Sequence, residues 1–325
     1  MQEYNTMEEV ELDNLLFYIY EDNPSATVCR IIDREYEGHV KIPQCIWEDG
    51  RMYDVREISD FAFKGCEGLE SIDIPDGVYR IGDSAFSGCS SLREINIPPS
   101  VREIGKRPFE DCGSLVAINV AHSNNYFCDI NGVLFDSSRQ VLIDYPYARS
   151  GDYDIPEGVV KIGANAFNGC EKLDEIYIPP TVLEIGDHAF SHNLALRRVK
   201  MPDTLLSIRD NAFDDCQELR SIDTYHSNND DDDDTISREI GASAFRFCTS
   251  LESIDIPTKI EYIGDFAFFG CTDLKEIELP VTVSEIGECA FNNCSKLKNA
   301  TIPSIVEIDL LMFSGCTKLK NIKRN

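Results

Sequence analysis

The side chains of this chain best suited to catalysis or metal binding are its 13 cysteines, its five histidines and its 58 acidic residues. Thiolates serve as nucleophiles, imidazoles move protons and bind metals, and paired carboxylates cleave glycosidic bonds. Redox thiols, zinc sites and phosphate-binding loops have recognisable motifs, namely Cys-x-x-Cys, His-Glu-x-x-His and a glycine-rich loop, whereas nothing singles out a carboxylate pair among the acidic residues. The sequence contains none of these motifs. His188 and His192 are four residues apart, but two ligands do not make a zinc site.

The cysteines instead recur at a constant interval. Neighbouring members of one series are 23 residues apart, or 22 at the last step, except where insertions separate them. The series is Cys66, Cys89, Cys112, Cys170, Asn193, Cys216, Cys248, Cys271, Cys294 and Cys316. A catalytic or redox cysteine would not recur in this way, so we predict a structural ladder of buried side chains that bond backbone groups at one bend of every repeat. Asn193 fits this role because an amide makes such bonds more strongly than a thiol.

The ladder belongs to a longer repeated phrase, A-F-x-x-C-x-x-L-x-x-I-x-I-P-x-x-V-x-x-I-G. Self-similarity at this period indicates a solenoid, in which each coil buries its apolar face against the next. Leu-x-x-Ile-x-Ile predicts a short strand, the proline ends it, and we expect the glycine to permit a tight bend. The phenylalanines of the phrase are expected to stack in the interior: Phe63, Phe86, Phe109, Phe167, Phe190, Phe213, Phe245, Phe268, Phe291 and Phe313.

This phrase resembles the leucine-rich repeats of the bacterial BspA-like (Treponema pallidum) type, and the resemblance extends from about Val40 to Leu319. It implies a β-rich solenoid, a right-handed leucine-rich-repeat superhelix of about eleven coils with a stacked parallel sheet. We expect residues 1–47 to form an N-terminal cap with the first incomplete coil, and residues 48–325 to form the solenoid.

Two insertions interrupt the period. An irregular coil is expected at about residues 119–156, with a hairpin-like excursion around "DING". A second insertion, at about 225–236, contains five aspartates from Asp230 to Asp234. We interpret this run as a solvated loop, because like charges repel one another. A calcium site is the alternative, but the run lacks the D-x-D-x-D-G spacing of an ion-binding loop. No metal or cofactor is therefore predicted.

The charge of the chain restricts its partners. With 58 acidic and 30 basic residues, the net charge is −28. Such a chain repels nucleic acid and anionic lipid, and no apolar run reaches the roughly 18 residues that a membrane span needs. We therefore predict a monomer that binds a protein partner, with no nucleic acid and no membrane span.

One basic patch stands out on the predicted sheet face, where the residues between the buried isoleucines point outward. Arg197, Arg198 and Lys200 lie there, with Tyr177 on the preceding coil and Asp223 on the following one. Aromatic and arginine side chains commonly anchor interfaces, so these five residues are the predicted partner-binding site. The alternative is that the cations only neutralise neighbouring carboxylates.

For function, the sequence predicts a non-catalytic protein-binding module rather than an enzyme. The resemblance implies a bacterial cell-surface protein that adheres to host or neighbouring cells. An intracellular scaffold or regulatory protein is the alternative, favoured by the many unpaired thiols. A weaker alternative is a carbohydrate-binding face on which Tyr177 and Tyr145 stack against a sugar. We expect the protein to lie at the cell surface or to be secreted if an export signal was trimmed, and otherwise to be cytoplasmic.

Overall fold

Each copy of the repeated phrase forms two short strands joined by turns, because its alternating isoleucines suit a pleated surface and its proline ends the pairing. The computed structural model describes residues 7–20, 23–30, 35–226 and 235–325. These residues form a β-solenoid of about eleven turns with stacked parallel strands and no helix, as the sequence predicts. The described residues accordingly include no helix long and apolar enough to cross a membrane.

The chain divides into two compact units, Met1–Ser138 with Pro146–Ala148, and Arg139–Tyr145 with Arg149–Asn325. The strands of the first unit are β1 (Met7–Leu12), β2 (Leu15–Tyr20), β3 (Asn23–Cys29), β4 (Gly38–Lys41), β5 (Cys45–Glu48), β6 (Arg51–Ile58), β7 (Leu69–Asp73), β8 (Arg80–Ile81), β9 (Glu94–Ile97), β10 (Glu103–Ile104), β11 (Ala117–Val120), β12 (Phe127–Ile130) and β13 (Val133–Asp136).

In the first unit, β1, β2 and β3 pair antiparallel, and β3 then pairs parallel with β6, which continues through β8 to β10. β4 pairs parallel with β7, and β9 with β11. The antiparallel meander occupies the region where the sequence predicts a cap, and the boundary of that cap at residue 47 stays a prediction. The expected hairpin is present as β12 and β13, which turn at Asn131 and Gly132.

The strands of the second unit are β14 (Val141–Asp144), β15 (Gly151–Asp154), β16 (Lys161–Ile162), β17 (Leu173–Tyr177), β18 (Glu184–Ile185), β19 (Arg198–Pro202), β20 (Ser207–Ile208), β21 (Ser221–Tyr225), β22 (Glu239–Ile240), β23 (Ser253–Ile254), β24 (Tyr262–Ile263), β25 (Glu276–Glu278), β26 (Glu285–Ile286), β27 (Asn299–Ile302) and β28 (Asn321–Arg324). The longer strands β15, β17, β19, β21 and β23 form one parallel sheet. Two-residue strands on the other side of each coil, from β16 to β26, form a second.

The core of each unit contains a column of stacked rings. In the first unit Phe63 stacks on Phe86 with ring centroids 5.2 Å apart, and Phe86 stacks on Phe109. In the second unit the six steps from Phe167 to Phe313 place neighbouring centroids 4.7 to 5.5 Å apart. The predicted stacking of the repeat phenylalanines is therefore observed within each unit.

The glycine of Val-x-x-Ile-Gly has a different role from the one expected. Neither Gly105 nor Gly186 has left-handed backbone, so neither serves a tight bend. A Cβ on Gly105 would instead lie 2.5 Å from the backbone nitrogen of Asp83, and one on Gly186 would lie 2.7 Å from that of Ala164. Glycine is required here because successive coils approach each other too closely for any side chain.

Candidate functional site

The ladder side chains occupy one bend of each coil and bond the coil before them. Cys216 donates its thiol hydrogen to the carbonyl oxygen of Phe190 over 3.0 Å, and Asn193 donates its amide to Phe167 over 2.7 Å. Six further thiols donate to the core phenylalanine of the preceding coil over 3.1 to 3.2 Å: Cys89, Cys112, Cys248, Cys271, Cys294 and Cys316. Cys170 bonds Tyr145 instead, over 3.7 Å, and Cys66 is buried.

Burial favours the protonated form of several of these thiols. It raises the pKa of Cys89 to about 12 and the pKa of Cys271 above its usual range. At the end of the series, the neighbouring thiol of Cys294 lowers the pKa of Cys316. Because the thiolate is the nucleophile and the metal ligand, a buried and protonated thiol column is poorly suited to either chemistry.

The described part of the chain contains no group of three or more His, Cys, Asp or Glu side chains that could hold a metal ion. His192 points its Nδ1 at Asp215 over 3.3 Å, and His188 lies in a neighbouring turn with left-handed backbone. The run Asp230–Asp234, for which a calcium site is the alternative interpretation, lies outside the described residues.

Four of the five predicted partner-binding residues lie on one face of the sheet formed by β15 to β23. The strand register sets Tyr177 opposite Lys200 and Lys200 opposite Asp223, while Arg198 projects from the same strand as Lys200. Between β15, β17 and β19 the face forms a shallow pocket of about 390 Å³. Its walls are Asp152, Asp154, Glu175, Ile176, Tyr177 and Lys200.

The two arginines of this patch are already paired with carboxylates. Arg198 contacts Glu175 over 2.9 Å and Asp223 over 3.9 Å, so it bridges the coils on both sides. Arg197 lies just before the strand, where it contacts Asp174 over 3.3 Å. Both arginines thus neutralise neighbouring carboxylates, as the alternative interpretation expects, and they cross-link neighbouring coils. All of these groups are substantially exposed, so each pair contributes little to stability.

Lys200 differs from the arginines. Its side chain is exposed, and no carboxylate of the described chain lies within ion-pairing distance of its ammonium group. Asp152, Asp154 and Glu175 line the same pocket without reaching it. The pocket therefore offers a partner one unpaired cation beside several carboxylates.

The ring of Tyr177 packs against Tyr225, a residue that the sequence analysis did not single out. The ring of Tyr225 stacks on Tyr177 with centroids 5.4 Å apart, and the Tyr225 hydroxyl donates to the carbonyl of Ile178 over 2.7 Å. Burial and the neighbouring Tyr177 raise the pKa of Tyr225 above its usual range. Tyr225 follows the last isoleucine-type position of β21, at the start of the acidic insertion, and the repeat pattern gives no signal for an aromatic residue there.

Tyr145 is not part of this face. Its side chain is only 3% exposed, and its ring packs on Phe167 with centroids 4.8 Å apart and against Tyr153. The expectation that Tyr145 stacks on a bound sugar is therefore wrong, because the ring belongs to the core column. Its position 22 residues before Phe167 is the signal that identifies it.

The family model of the BspA type leucine-rich repeat region matches the chain in six copies, over residues 54–139, 148–235 and 238–325. These ranges comprise well over half of the chain. No curated protein matches it.

Several solved bacterial proteins share the fold. A leucine-rich repeat protein from Eubacterium ventriosum has a TM-score of 0.63 at 20% identity, with 95% of each chain covered. The pneumococcal vaccine antigen PcpA has a TM-score of 0.56 at 16% identity, covering 99% of this chain and 100% of the other. A leucine-rich repeat protein from Bacteroides ovatus has a TM-score of 0.53 at 23% identity, covering 96% and 94%. At these identities the likeness concerns the fold.

Proposed function

The chain belongs to the BspA type leucine-rich repeat family, and from that premise we propose that it is a non-catalytic protein-binding module. Its proposed binding surface is the sheet face around Tyr177 and Lys200. Leucine-rich repeat folds are typically non-catalytic and present a broad sheet face to partners, which supports both parts of the proposal.

The observation that carries the proposal is the unpaired ammonium group of Lys200 at the rim of an acidic pocket. A partner carboxylate can pair with Lys200, while partner cations can pair with Asp152 and Asp154. The ring of Tyr177 supplies the apolar contact, and its stack on Tyr225 fixes the orientation of the ring before binding. Pre-ordered aromatic anchors reduce the entropy lost on association.

We place this binding at the bacterial cell surface, as an adhesin that contacts host or neighbouring cells. The family supports this location, and one fold relative is a vaccine antigen of the pneumococcus. A second candidate, an intracellular scaffold, is favoured by one observation. None of the 13 cysteines, all of which lie in the described part of the chain, forms a disulfide bond, as is usual in a reducing compartment.

Protease treatment of intact native cells distinguishes the two candidates. The adhesin proposal expects an antibody against the chain to lose its signal when intact cells are treated with protease, while a cytosolic marker is retained. A signal that survives in intact cells and disappears only after lysis would refute surface exposure and favour the scaffold.

The protein nature of the partner is tested separately. Labelled full-length chain should bind partner cells saturably, and prior protease treatment of those cells should abolish the binding. Binding that survives protease but not glycosidase treatment of the partner cells would refute a protein partner in favour of a carbohydrate one.

A further inference from the structure

Three phenylalanines form an exposed cluster in the turns of two successive coils of the second unit. Phe269 meets Phe247 with ring centroids 5.6 Å apart and Phe266 with centroids 5.8 Å apart, both nearly edge to face. Phe247 is 41% exposed and Phe266 39% exposed. Single exposed apolar residues are common, but a contiguous group of rings is typical of an interaction surface.

The backbone at two of these residues is left-handed, with φ of 58° at Phe247 and 57° at Phe266. A bulky side chain rarely adopts this conformation, because its Cβ approaches the backbone too closely. Positive φ recurs at the Phe247 position in each coil that carries a ladder residue, and at the Phe266 position in all of these coils but the last. Phe247 directly precedes a ladder residue, and the equivalent residues in the other coils are Gly65, Gly88, Asp111, Gly169, His192, Asp215, Gly270, Asn293 and Gly315. Phe266 lies five residues before a ladder residue, and the equivalent residues with positive φ in the other coils are Phe61, Ser84, Arg107, Asn165, His188, Asn211, Ser243 and Cys289.

The surrounding chain accommodates the cluster. A Cβ on Gly270 would lie 2.8 Å from the ring of Phe247, so glycine at this position leaves the space that the ring occupies. The guanidinium carbon of Arg246 lies 5.3 Å from the centroid of the Phe247 ring. Two hydrogen bonds of 2.8 Å to Asp214 hold that guanidinium in place. The ring of Phe247 thus contacts a glycine and a fixed arginine, although its own backbone is strained.

Acidic residues surround the cluster. Asp265 directly precedes Phe266 and is exposed, and exposed Glu288 accepts the backbone hydrogen bond of Phe266 over 2.9 Å. Asp215 lies in the preceding coil at the position equivalent to Phe247, and its backbone nitrogen donates to the carbonyl of Arg246 over 2.8 Å. Since Arg246 is already neutralised by Asp214, the rim has a net negative charge.

We propose that this cluster is a second docking surface, for a protein segment that carries aliphatic side chains next to lysine or arginine. The rings provide the apolar contact, and the charge complementarity of the rim selects basic flanking residues. Strained backbone that persists in a fold commonly serves a functional site, and these two successive coils each carry a bulky, exposed phenylalanine at such a position. This surface shares no residue with the pocket around Tyr177 and Lys200.

The test uses the full chain and three short fluorescent peptides, in which Leu alternates with Lys, Ser with Lys, and Leu with Glu. Anisotropy titrations are made near physiological salt, so that unspecific attraction is screened. The proposal expects the Leu/Lys peptide to bind at least about tenfold more tightly than either of the others. Equal binding of Ser/Lys would show attraction by charge alone, and equal binding of Leu/Glu would show no charge selection. Either result overturns the proposal.

Variants locate the binding. The double variant Phe247→Gly/Phe266→Asn is expected to reduce Leu/Lys binding to the level of Ser/Lys without lowering the melting temperature, because both substitutions relieve strain. The matched control is Phe61→Asn. It relieves the same backbone strain at the equivalent left-handed residue of the first unit (φ 60°), and it should bind the Leu/Lys peptide like the wild type. Unchanged binding by the double variant, or loss of binding by Phe61→Asn, would contradict the assignment.

A second copy of the chain is the other possible occupant. Sedimentation of the wild-type chain alone should show a monomer over the concentrations used in the titrations. A dimer that the double variant abolishes would show that the cluster pairs with itself, and would overturn the proposal of a basic protein segment.

Discussion

Asn193 tests whether the ladder is a hydrogen-bonding device, because it is the one amide among thiols. Its Nδ2 donates to the carbonyls of Phe167 and Phe190 over 2.7 and 2.8 Å, and its side chain is fully buried. Its Oδ1 accepts no hydrogen bond from the described residues. The variant Asn193→Ala removes both side-chain donors, whereas Asn193→Cys restores the thiol found in the other coils.

We expect Asn193→Ala to lower the free energy of unfolding by about 1–3 kcal/mol, because it removes two buried hydrogen bonds that each contribute about 0.5–1.5 kcal/mol. Asn193→Cys should lie within about 1 kcal/mol of the wild type. The thiol replaces the bond to Phe167, the unpaired Oδ1 is removed, and Phe190 still receives the thiol of Cys216 over 3.0 Å. Urea unfolding followed by circular dichroism measures both. With a slope of about 3 kcal/mol per M, a loss of about 2 kcal/mol moves the midpoint by roughly 0.7 M.

The result that would refute this reasoning is equal destabilisation by the two variants. Position 193 would then require an amide, and the cysteines elsewhere in the series would be small apolar fillers rather than donors. Asn193→Ser serves as a further control, because a hydroxyl is a stronger donor than a thiol but too short to reach both carbonyls.

Three further predictions concern the core. Phe213→Ala should destabilise the second unit by about 3–5 kcal/mol and Phe213→Leu by clearly less, since the alanine leaves a cavity in a column where the ring is fully buried; urea midpoints showing equal losses would contradict this. Gly186→Ala should also destabilise, because its Cβ would meet the backbone of the preceding coil; an unchanged melting temperature would argue against close coil packing. Raising the pH from about 8 to about 10.5 should lower the free energy of unfolding, because Cys89 keeps its proton up to a pKa of about 12 in the folded state but titrates near 9.0 once unfolded. Urea titrations at the two pH values measure the change, and the Cys89→Ala variant should show a smaller decrease than the wild type.

Much of the fold could be predicted from the sequence because the same repeated phrase occurs about ten times. The Phe213 column, the Cys216 series and the strand ends follow from spacing alone. Features that depend on contact between coils could not be predicted. Gly186 has the same sequence signal whether it serves a bend or a close approach, and only the distance to Ala164 distinguishes them. Tyr145 occupies a core position inside an irregular coil, where the repeated phrase is lost.

The candidate site was predicted less completely. The sequence correctly predicted that Tyr177 and Lys200 are neighbours on adjacent strands, because strand register follows directly from the 23-residue period. It could not show that Arg198 is paired with Glu175 while Lys200 is not, since side-chain pairing depends on the reach of each rotamer between coils. The stack of Tyr225 on Tyr177 was missed because Tyr225 lies where the period is interrupted.

Lys200 gives the most direct test of the proposed binding face. Binding of labelled full chain to partner cells should be measured for the wild type, Lys200→Glu and the control Lys106→Glu, which makes the same charge change at an exposed turn of the first unit. Lys200→Glu should raise the half-saturating concentration at least about tenfold, as expected for a central interface residue. Its melting temperature should stay unchanged, and Lys106→Glu should bind like the wild type. Equal binding by Lys200→Glu and the wild type would contradict the account.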